Sequence, residues 1–501
     1  MKQRLHRVIA CLALCALLAG MVPPASAAGG FRDVPDSHPA AESIRRCVEL
    51  GFFQGESAAR FGVGHSITRG AFVVAASRFF GWDTKNVTKT PTYSDVPADA
   101  WCYGAVEAAA ACGALSSQSD TFRPNDAITR EELAVLLVRA LGYETIAALA
   151  QDLATPFRDV RTNPGYIAMA YDFGLVSGGT RTHFSPNEPA AREDAAVILM
   201  ELYDKLHAPA ARSIGITGSE EGLPDLAGYE TVGISAGRLM CTGKPAVPIT
   251  MGAGKAASLR ETVHQAGAKA LLHVVGGPTA LNGDTDETVA VLVEAVEKGG
   301  YDGLMLDLEK LKITQEAAMS RLMRALRPAL DGKLLYVIAD APAWDGTVYE
   351  GYDYGLIGEN ADCLILRITS HKGFSGAFPT APVEPLEEAY YTLGELRGVI
   401  DGDKLALLVT TEGFLYLDGR EAGGISQAEI QNLLAADEAK SYYSTRYDCA
   451  YATSVYDKQE ALVWYLSDRS VEARARLAGL FGVTRLCMGD LNDLPAEMPE
   501  A

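Results

Sequence analysis

An internal repeat of roughly sixty residues occupies the first half of the chain and constrains that half more tightly than any other feature. Its openings are Phe31-Arg32-Asp33-Val34, Tyr93-Ser94-Asp95-Val96 and Phe157-Arg158-Asp159-Val160. Its later signatures are Ile67-Thr68-Arg69, Ile128-Thr129-Arg130 and, degraded, Ala190-Ala191-Arg192. The three arginines lie 61 and 62 residues apart, so the period is real. Between the signatures each copy carries an amphipathic helix ending near glycine, such as Ala105 to Cys112 before Gly113. A second helix follows the arginine, as in Arg130 to Leu141 before Gly142. Units this small bury little area alone and need one another to make a core. The boundaries read as 28–90, 91–150 and 151–210.

At 501 residues the chain suggests about two to four domains, and 48% hydrophobic with 22% charged residues is the balance of a folded protein. Residues 1–27 read as a secretory signal: Lys2, Arg4 and Arg7, the apolar run Val8 to Leu18, then Ala25-Ser26-Ala27 as cleavage site. No later run reaches membrane-spanning length, so an exported chain with no membrane span is expected. Removing those three basic residues takes the formal charge from −20 to about −23, which disfavours nucleic acid as a partner. Seven cysteines remain beyond Cys11 and Cys15, scattered and odd in number, so no disulfide framework is implied. No C-x-x-C or H-E-x-x-H spacing occurs, and neither metal nor cofactor is expected.

A polar stretch, 211–228, reads as a linker. Beyond it, over 229–501, apolar runs alternate with helical segments: Thr231 to Ser235, Ala246 to Thr250, Ala268 to Val275, Gly303 to Leu308, Leu334 to Ala339, Cys363 to Ile368, Leu405 to Thr410 and Thr484 to Met488. Eight such runs separated by helices suggest a parallel (β/α)8 barrel. The whole chain is then multidomain, an all-α repeat module followed by an α/β barrel.

The run Tyr301-Asp302-Gly303-Leu304-Met305-Leu306-Asp307-Leu308-Glu309 carries the chemistry. Asp307 and Glu309 are two apart, so an extended backbone sends both to one face. An apolar strand ends in two such acids when they are paired or used, because desolvating a carboxylate is costly. The alternative is a strand end meeting solvent. The segment resembles the catalytic strand of glycoside hydrolase family 18, the chitinase-like barrels, whose pattern is D-x-x-D-x-D-x-E. Asp302, Asp307 and Glu309 take the first, third and last places, and Met305 stands where the middle acid would be.

The resemblance implies that Glu309 protonates the glycosidic oxygen and that Asp307 orients the substrate's acetamido group, which attacks the anomeric carbon. It implies support of the site by Asp302, Gly303, Gly276 and Gly277. Val274-Val275-Gly276-Gly277 keeps the glycines of the family's S-x-G-G and loses its hydroxyl. The family's M-x-Y-D is absent from Leu366-Arg367-Ile368-Thr369-Ser370-His371, leaving Arg367, Thr369 or His371 as donors, and the terminal Trp is missing. Trp344, Tyr352, Tyr354, Glu412 and Trp464 are candidates for substrate binding; for each aromatic the alternative is ordinary packing. His273, inside an apolar strand, reads as structural.

The repeats resemble the S-layer homology family, in which three copies form a pseudo-threefold helical module binding acidic secondary cell-wall polysaccharide. Copy two is closest, with Trp101, Thr121-Phe122-Arg123-Pro124 and Ile128-Thr129-Arg130-Glu131; Pro39 and Gly165 stand near the place of Trp101 in the other copies. Arg69, Arg130 and Arg192 match the family's anion-binding arginine, and a guanidinium fork suits a carboxylate. Together the two resemblances imply a secreted glycosidase at the bacterial cell surface, acting on peptidoglycan or chitin-like glycan. The competing expectation is a non-enzymatic wall protein with a degenerate, glycan-binding barrel.

Overall fold

The computed structural model describes residues 30–116, 119–152, 155–343, 350–368 and 380–495; the expected signal segment lies outside them. The chain divides into two compact units, Met1–His207 and Ala208–Ala501.

In the first unit each repeat supplies two helices: α1 (Ala41–Glu49) and α2 (Arg69–Phe79), α3 (Tyr103–Ala111) and α4 (Arg130–Ala140), α6 (Pro164–Asp172) and α7 (Arg192–Leu206), with a short α5 (Glu144–Leu149) before the third copy. The I-T-R signature starts the second helix of a repeat because its threonine is an N-cap. Thr68 Oγ1 accepts from Ala71 N at 3.2 Å, and Thr129 closes a capping box with Glu132. Ala191 has no such oxygen, and α7 starts uncapped.

The residue before each threonine is buried at the meeting point of the copies. Ile67 N donates to Ala190 O (3.0 Å), Ala190 N to Ile128 O (2.9 Å) and Ile128 N to Ile67 O (3.0 Å), a closed ring of three backbone bonds. Each arginine then staples the next copy. Arg69 Nε donates to Phe122 O (2.7 Å), Arg130 Nε to Phe184 O (2.9 Å) and Arg192 Nε to Phe61 O (2.8 Å). Each guanidinium also stacks over that phenylalanine at 4.8–4.9 Å. The opening aspartates hold the loops that present those carbonyls: Asp33 accepts from Phe61, Gly62 and Val63 N–H, Asp95 from Phe122 and Arg123, Asp159 from Phe184 and Ser185. The repeat period is therefore the spacing of one hydrogen-bonding cycle.

The second unit is a closed barrel of eight parallel strands: β1 (Ala211–Thr217), β2 (Thr231–Arg238), β3 (Lys269–Gly276), β4 (Gly303–Leu308), β5 (Leu334–Asp340), β6 (Cys363–Arg367), β7 (Leu405–Val409) and β13 (Arg485–Met488). Around the barrel the order is β1-β13-β7-β6-β5-β4-β3-β2. Helices follow most strands: α8 (Ala253–Gln265), α9 (Thr285–Gly299), α10 (Ile313–Ala329), α11 (Tyr354–Asn360), α12 (Leu386–Leu396) and α14 (Asp468–Leu480). Alternate residues point inward, and Ile214, Leu271, Met305, Ile338, Ile365 and Leu408 belong to one buried cluster.

Two expectations are corrected. The span 211–228 is not a linker throughout, because its first seven residues are barrel strand β1. Ile214 and Ile216 fill the interior there, and the intervening polar residues hid the run. Ala246 to Thr250 is not a barrel strand. Pro248 has no N–H to give a continuous ladder, and the pairing is short: Pro245–Ala246 with Met240–Cys241, and an isolated antiparallel bridge from Ile249 to Gly237 of β2.

The sequence reading also missed an insertion between β7 and α14. There β8 (Gly413–Leu417), β9 (Arg420–Ile425), β10 (Lys440–Ser444), β11 (Cys449–Tyr456) and β12 (Gln459–Tyr465) form an antiparallel sheet in the order β9-β8-β12-β11-β10. Helix α13 (Gln427–Leu434) packs on one face of it through Ile430 and Leu433. No helix among the described residues is long and apolar enough to cross a membrane.

The three repeat aspartates predict an acid limit. Burial pushes each carboxyl up, but the backbone donors outweigh it and hold all three below their ordinary value. A depressed folded pKa contributes stability that is present above the unfolded value, about 4, and is lost as pH falls through the folded one. The helical melting midpoint of the first unit should therefore be level between about pH 7 and 5 and fall below about pH 4. Asp95→Asn should remove part of that fall; a variant as acid-sensitive as the parent would contradict it.

Candidate active site

Strand β4 is buried along its whole length, and its inward residues Met305 and Asp307 climb toward the C-terminal mouth of the barrel. Glu309 continues the ladder, its N–H donating to Gly276 O at 2.9 Å. Lys310 then takes a left-handed turn (φ 57°) and donates its N–H to Asp340 Oδ2 at 2.5 Å. Met305 fills the interior opposite Gly233, where an added Cβ would lie 2.6 Å from the Met305 sulfur.

Arg367, at the end of β6, organises the acids. Its Nη2 is 2.5 Å from Asp307 Oδ2 and 3.5 Å from Glu309 Oε1, and its Nη1 is 3.0 Å from Asp340 Oδ1. His273 Nε2 stands 3.4 Å from the same Asp307 oxygen. Asp307 is 3% exposed, and its Oδ1 has no protein partner. Burial pushes its carboxyl up, but His273 and Arg367 outweigh that and hold it below the ordinary range, so Asp307 is a carboxylate. Burial pushes the Arg367 guanidinium down while Asp307, Asp340 and Glu309 raise it further, so its charge is fixed. Glu309 is the open member, with 43% of its side chain exposed.

The structure thus brings Asp307 and Glu309 to one guanidinium, turned the same way. Gly276 supports them through its carbonyl, and Gly277 follows in the strand exit. Asp302 and Gly303 lie at the opposite end of β4 and support the strand rather than the site. Asp302 Oδ2 accepts from Ala270 N and faces His264 Nε2, both at 2.8 Å, and an added Cβ on Gly303 would strike Leu334 O. Tyr352 is buried, so it is support instead of a sugar platform; its hydroxyl lies 2.5 Å from Leu308 O and 3.0 Å from Asp340 Oδ2. Tyr354 donates to Asp340 O at 2.8 Å. Glu412 stands exposed near Gly424 of the inserted sheet. Trp464 is buried in that sheet, donating to Thr380 Oγ1 at 3.2 Å and lying 4.8 Å from Tyr451. Trp344, Thr369 and His371 fall outside the described residues.

Sequence reasoning passed over three groups. Asp340 was legible by the rule used for Asp307, an apolar strand ending in an acid. His273 was read as structural, yet the register that pairs it with Met305 carries its ring to Asp307. Glu384 gave no signal. It accepts from Thr410 N just beyond β7, lies 3.9 Å from Arg474 Nε, and burial pushes its carboxyl up to about 7.

In the repeats, Arg69 Nη1 pairs with Glu132 at 2.6 Å, whereas Arg130 and Arg192 give an Nη2 hydrogen to Ser177 O and Gln54 O. Trp101 is 63% exposed and lies against Gly70, where a Cβ would come 3.0 Å from its ring.

Residues 30–73, 92–134 and 156–196 match the family model of the S-layer homology domain, and the three repeats are S-layer homology domains. The chain is 29% identical over 181 residues to an amylopullulanase of Thermoanaerobacterium thermosulfurigenes, which covers 35% of this chain and 10% of that protein. It is 28% identical over 233 residues to the surface-layer 125 kDa protein of Lysinibacillus sphaericus, covering 43% and 19%. The chain thus spans less than a quarter of the length of either relative. Among solved structures, a chitinase from Chromobacterium violaceum superposes with a TM-score of 0.49 and 17% identity, covering 57% of this chain and 95% of that one. The spore cortex-lytic enzyme SleL of Bacillus cereus gives 0.47 and 14%, covering 58% and 76%.

Removing the guanidinium should be severe. Arg367→Met leaves Asp307 and Asp340 buried without their cation, which should cost about 3 kcal/mol of stability at pH 7. The urea midpoint of the barrel measures it, and a midpoint equal to that of the parent would show that Arg367 is not what holds these acids.

Proposed function

We propose that the chain is a secreted cell-surface protein, held at the wall by its S-layer homology domains, whose barrel hydrolyses N-acetylglucosamine-containing glycan, peptidoglycan first, by substrate-assisted acid catalysis. One observation carries this reading. Glu309 is half exposed at the barrel mouth with a buried, charged Asp307 turned to the same Arg367 nitrogen. Anchoring through a secondary cell-wall polysaccharide follows from the three repeats, and a surface-layer protein stands among the relatives.

In this mechanism Glu309 gives its proton to the glycosidic oxygen as the bond to the anomeric carbon breaks. The acetamido oxygen of the same sugar attacks that carbon and forms a cyclic oxazolinium. Asp307 orients the acetamido group, and its charge balances the developing cation. Water, deprotonated by Glu309, then opens the ring. A thioether at 305 cannot share a proton with Asp307; here Arg367 and His273 fix that charge instead.

Glu309→Gln should lower release of reducing ends from peptidoglycan and chitooligosaccharides by about a hundredfold or more. Equal release from parent and variant would remove Glu309 from the mechanism.

A second reading rests on the 3.5 Å between Arg367 and Glu309. Glu309 is there engaged as an ion-pair partner of Arg367, an arrangement that suits a barrel that binds glycan without cleaving it. Saturable glycan binding with no turnover at any pH from about 4 to 8 would establish this reading and end the first.

A further inference from the structure

Residues 380–386 form a strap sewn to the inserted sheet. Thr380 Oγ1 accepts from Trp464 Nε1 at 3.2 Å, Ala381 N donates to Tyr416 OH at 3.0 Å, and Leu386 N donates to Tyr447 O at 3.1 Å. Val383 O accepts from the Cys449 thiol at 2.9 Å. Glu384 is where the strap turns from that sheet to the barrel. Its backbone is left-handed (φ 43°), and its side chain reaches the barrel rim, where Oε1 accepts from Thr410 N just beyond β7 at 3.0 Å.

Arg474 of α14 packs against the strap, and its guanidinium is committed to main-chain carbonyls. Nη1 donates to Ser470 O at 2.9 Å and Asp448 O at 3.1 Å, and Nη2 to Val383 O at 3.4 Å and to Glu384 O. Asp448 immediately precedes β11, so this one side chain joins α14, the strap and the inserted sheet. Only Nε is left for the Glu384 carboxyl, and it lies 3.9 Å from Oε2, too far for a hydrogen bond. Both atoms are buried, and neither has a partner among the described residues. Glu384 is 4% exposed and Arg474 2%. An ionised carboxylate in this place is dry, with one of its two oxygens unanswered, whereas the protonated acid carries no charge to solvate. Burial outweighs Arg474, the Thr410 N–H and Arg367, and pushes the Glu384 carboxyl up to about 7.

We infer that the Glu384–Arg474 junction is a proton-controlled latch: with Glu384 protonated the strap ties the inserted sheet to the barrel, and ionisation of Glu384 loosens it. None of this depends on what the barrel binds or cleaves. The sign follows from linkage. A loosened strap gives the carboxyl to water, where it titrates near the ordinary glutamate value of about 4.3. An acid whose value is raised in the closed state supports closure fully below the open value, and that support is lost as pH rises through the closed one. The other groups facing the junction hold their state between pH 6 and 8. Burial pushes the Cys449 thiol up to about 12, and Arg367 keeps its charge. Asp448, also raised by burial, turns its carboxyl to the Tyr443 hydroxyl at 3.3 Å and gives Arg474 its carbonyl.

Hydrogen–deuterium exchange of the full chain at about pH 6 and 8, corrected for the intrinsic pH dependence of exchange, tests the latch. Amides of the strap, 380–386, and of the sheet it holds, 440–456, should lose protection about tenfold between those values relative to amides of β3, β4 and β5. Glu384→Gln keeps an acceptor for Thr410 N and removes the charge, so its protection over the same amides should be level with pH. Glu384→Met removes the charge without adding amide hydrogens to a dry junction, and should give the same level profile. Equal protection of the parent at both values overturns the latch. So does protection that rises with pH, which would mean that the ionised carboxylate closes onto Arg474. Variants that lose protection as the parent does would show that another group controls the strap.

Discussion

Three carboxylates face one guanidinium at the mouth of the barrel, and the rest of the candidate site depends on that arrangement. Asp307 and Asp340 are nearly inaccessible to water, and two buried anions side by side would repel each other with little screening. The bonds of 2.5 and 3.0 Å to Arg367 make their proximity tolerable. Further bonds follow from it. With Asp340 held by Arg367, its second oxygen accepts from the Lys310 N–H and so sets the tight exit of β4 from which Glu309 projects. Tyr352 closes the same oxygen from the other side. The position of Glu309 thus traces back, bond by bond, to a residue on a different strand.

The repeat unit uses arginine differently. Its three signature guanidinium groups are fixed first by main-chain carbonyls and phenylalanine rings of the next copy, and only one of them, Arg69, has a carboxylate within ion-pair distance among the described residues. A carbonyl partner leaves the positive charge uncancelled. The result is a ring whose closure comes from neutral acceptors while its cations stay available to an anion.

Much of this was legible in the sequence for a physical reason: periods and patterns report local geometry. The spacing of the arginines is the spacing of the hydrogen-bonded cycle. Seven of the eight expected runs are barrel strands, because buried parallel strands read as near-continuous apolar stretches. Failure came where a local pattern and its context disagree. Ala211–Thr217 carries only two large apolar residues, Ile214 and Ile216 with Gly215 between them, after the polar pair Arg212-Ser213, and it looked like a linker. Ala246 to Thr250 is apolar enough for a strand, but Pro245 before it and Pro248 within it keep its pairing to a short ribbon and one isolated bridge. Within the site, Asp307 and Glu309 announced themselves by position on one strand, whereas Arg367, Asp340 and His273 come from three other strands. Their conjunction is a property of register and barrel closure, which no single stretch of sequence contains.

The pairing of Met305 with Arg367 shows how such a site stays consistent. An aspartate at 305 would lie two residues from Asp307 on the same inward face, so one of the pair would have to carry a proton. With methionine there, the interior layer opposite Gly233 is filled by a side chain that carries no charge. Asp307 then shares its cation with Asp340 and Glu309, and Arg367 meets it at 2.5 Å with His273 behind. The two residues are therefore not independent departures. An uncharged side chain in the barrel interior and a guanidinium at its mouth together favour the charged form of Asp307, whose carboxyl is held below its ordinary range.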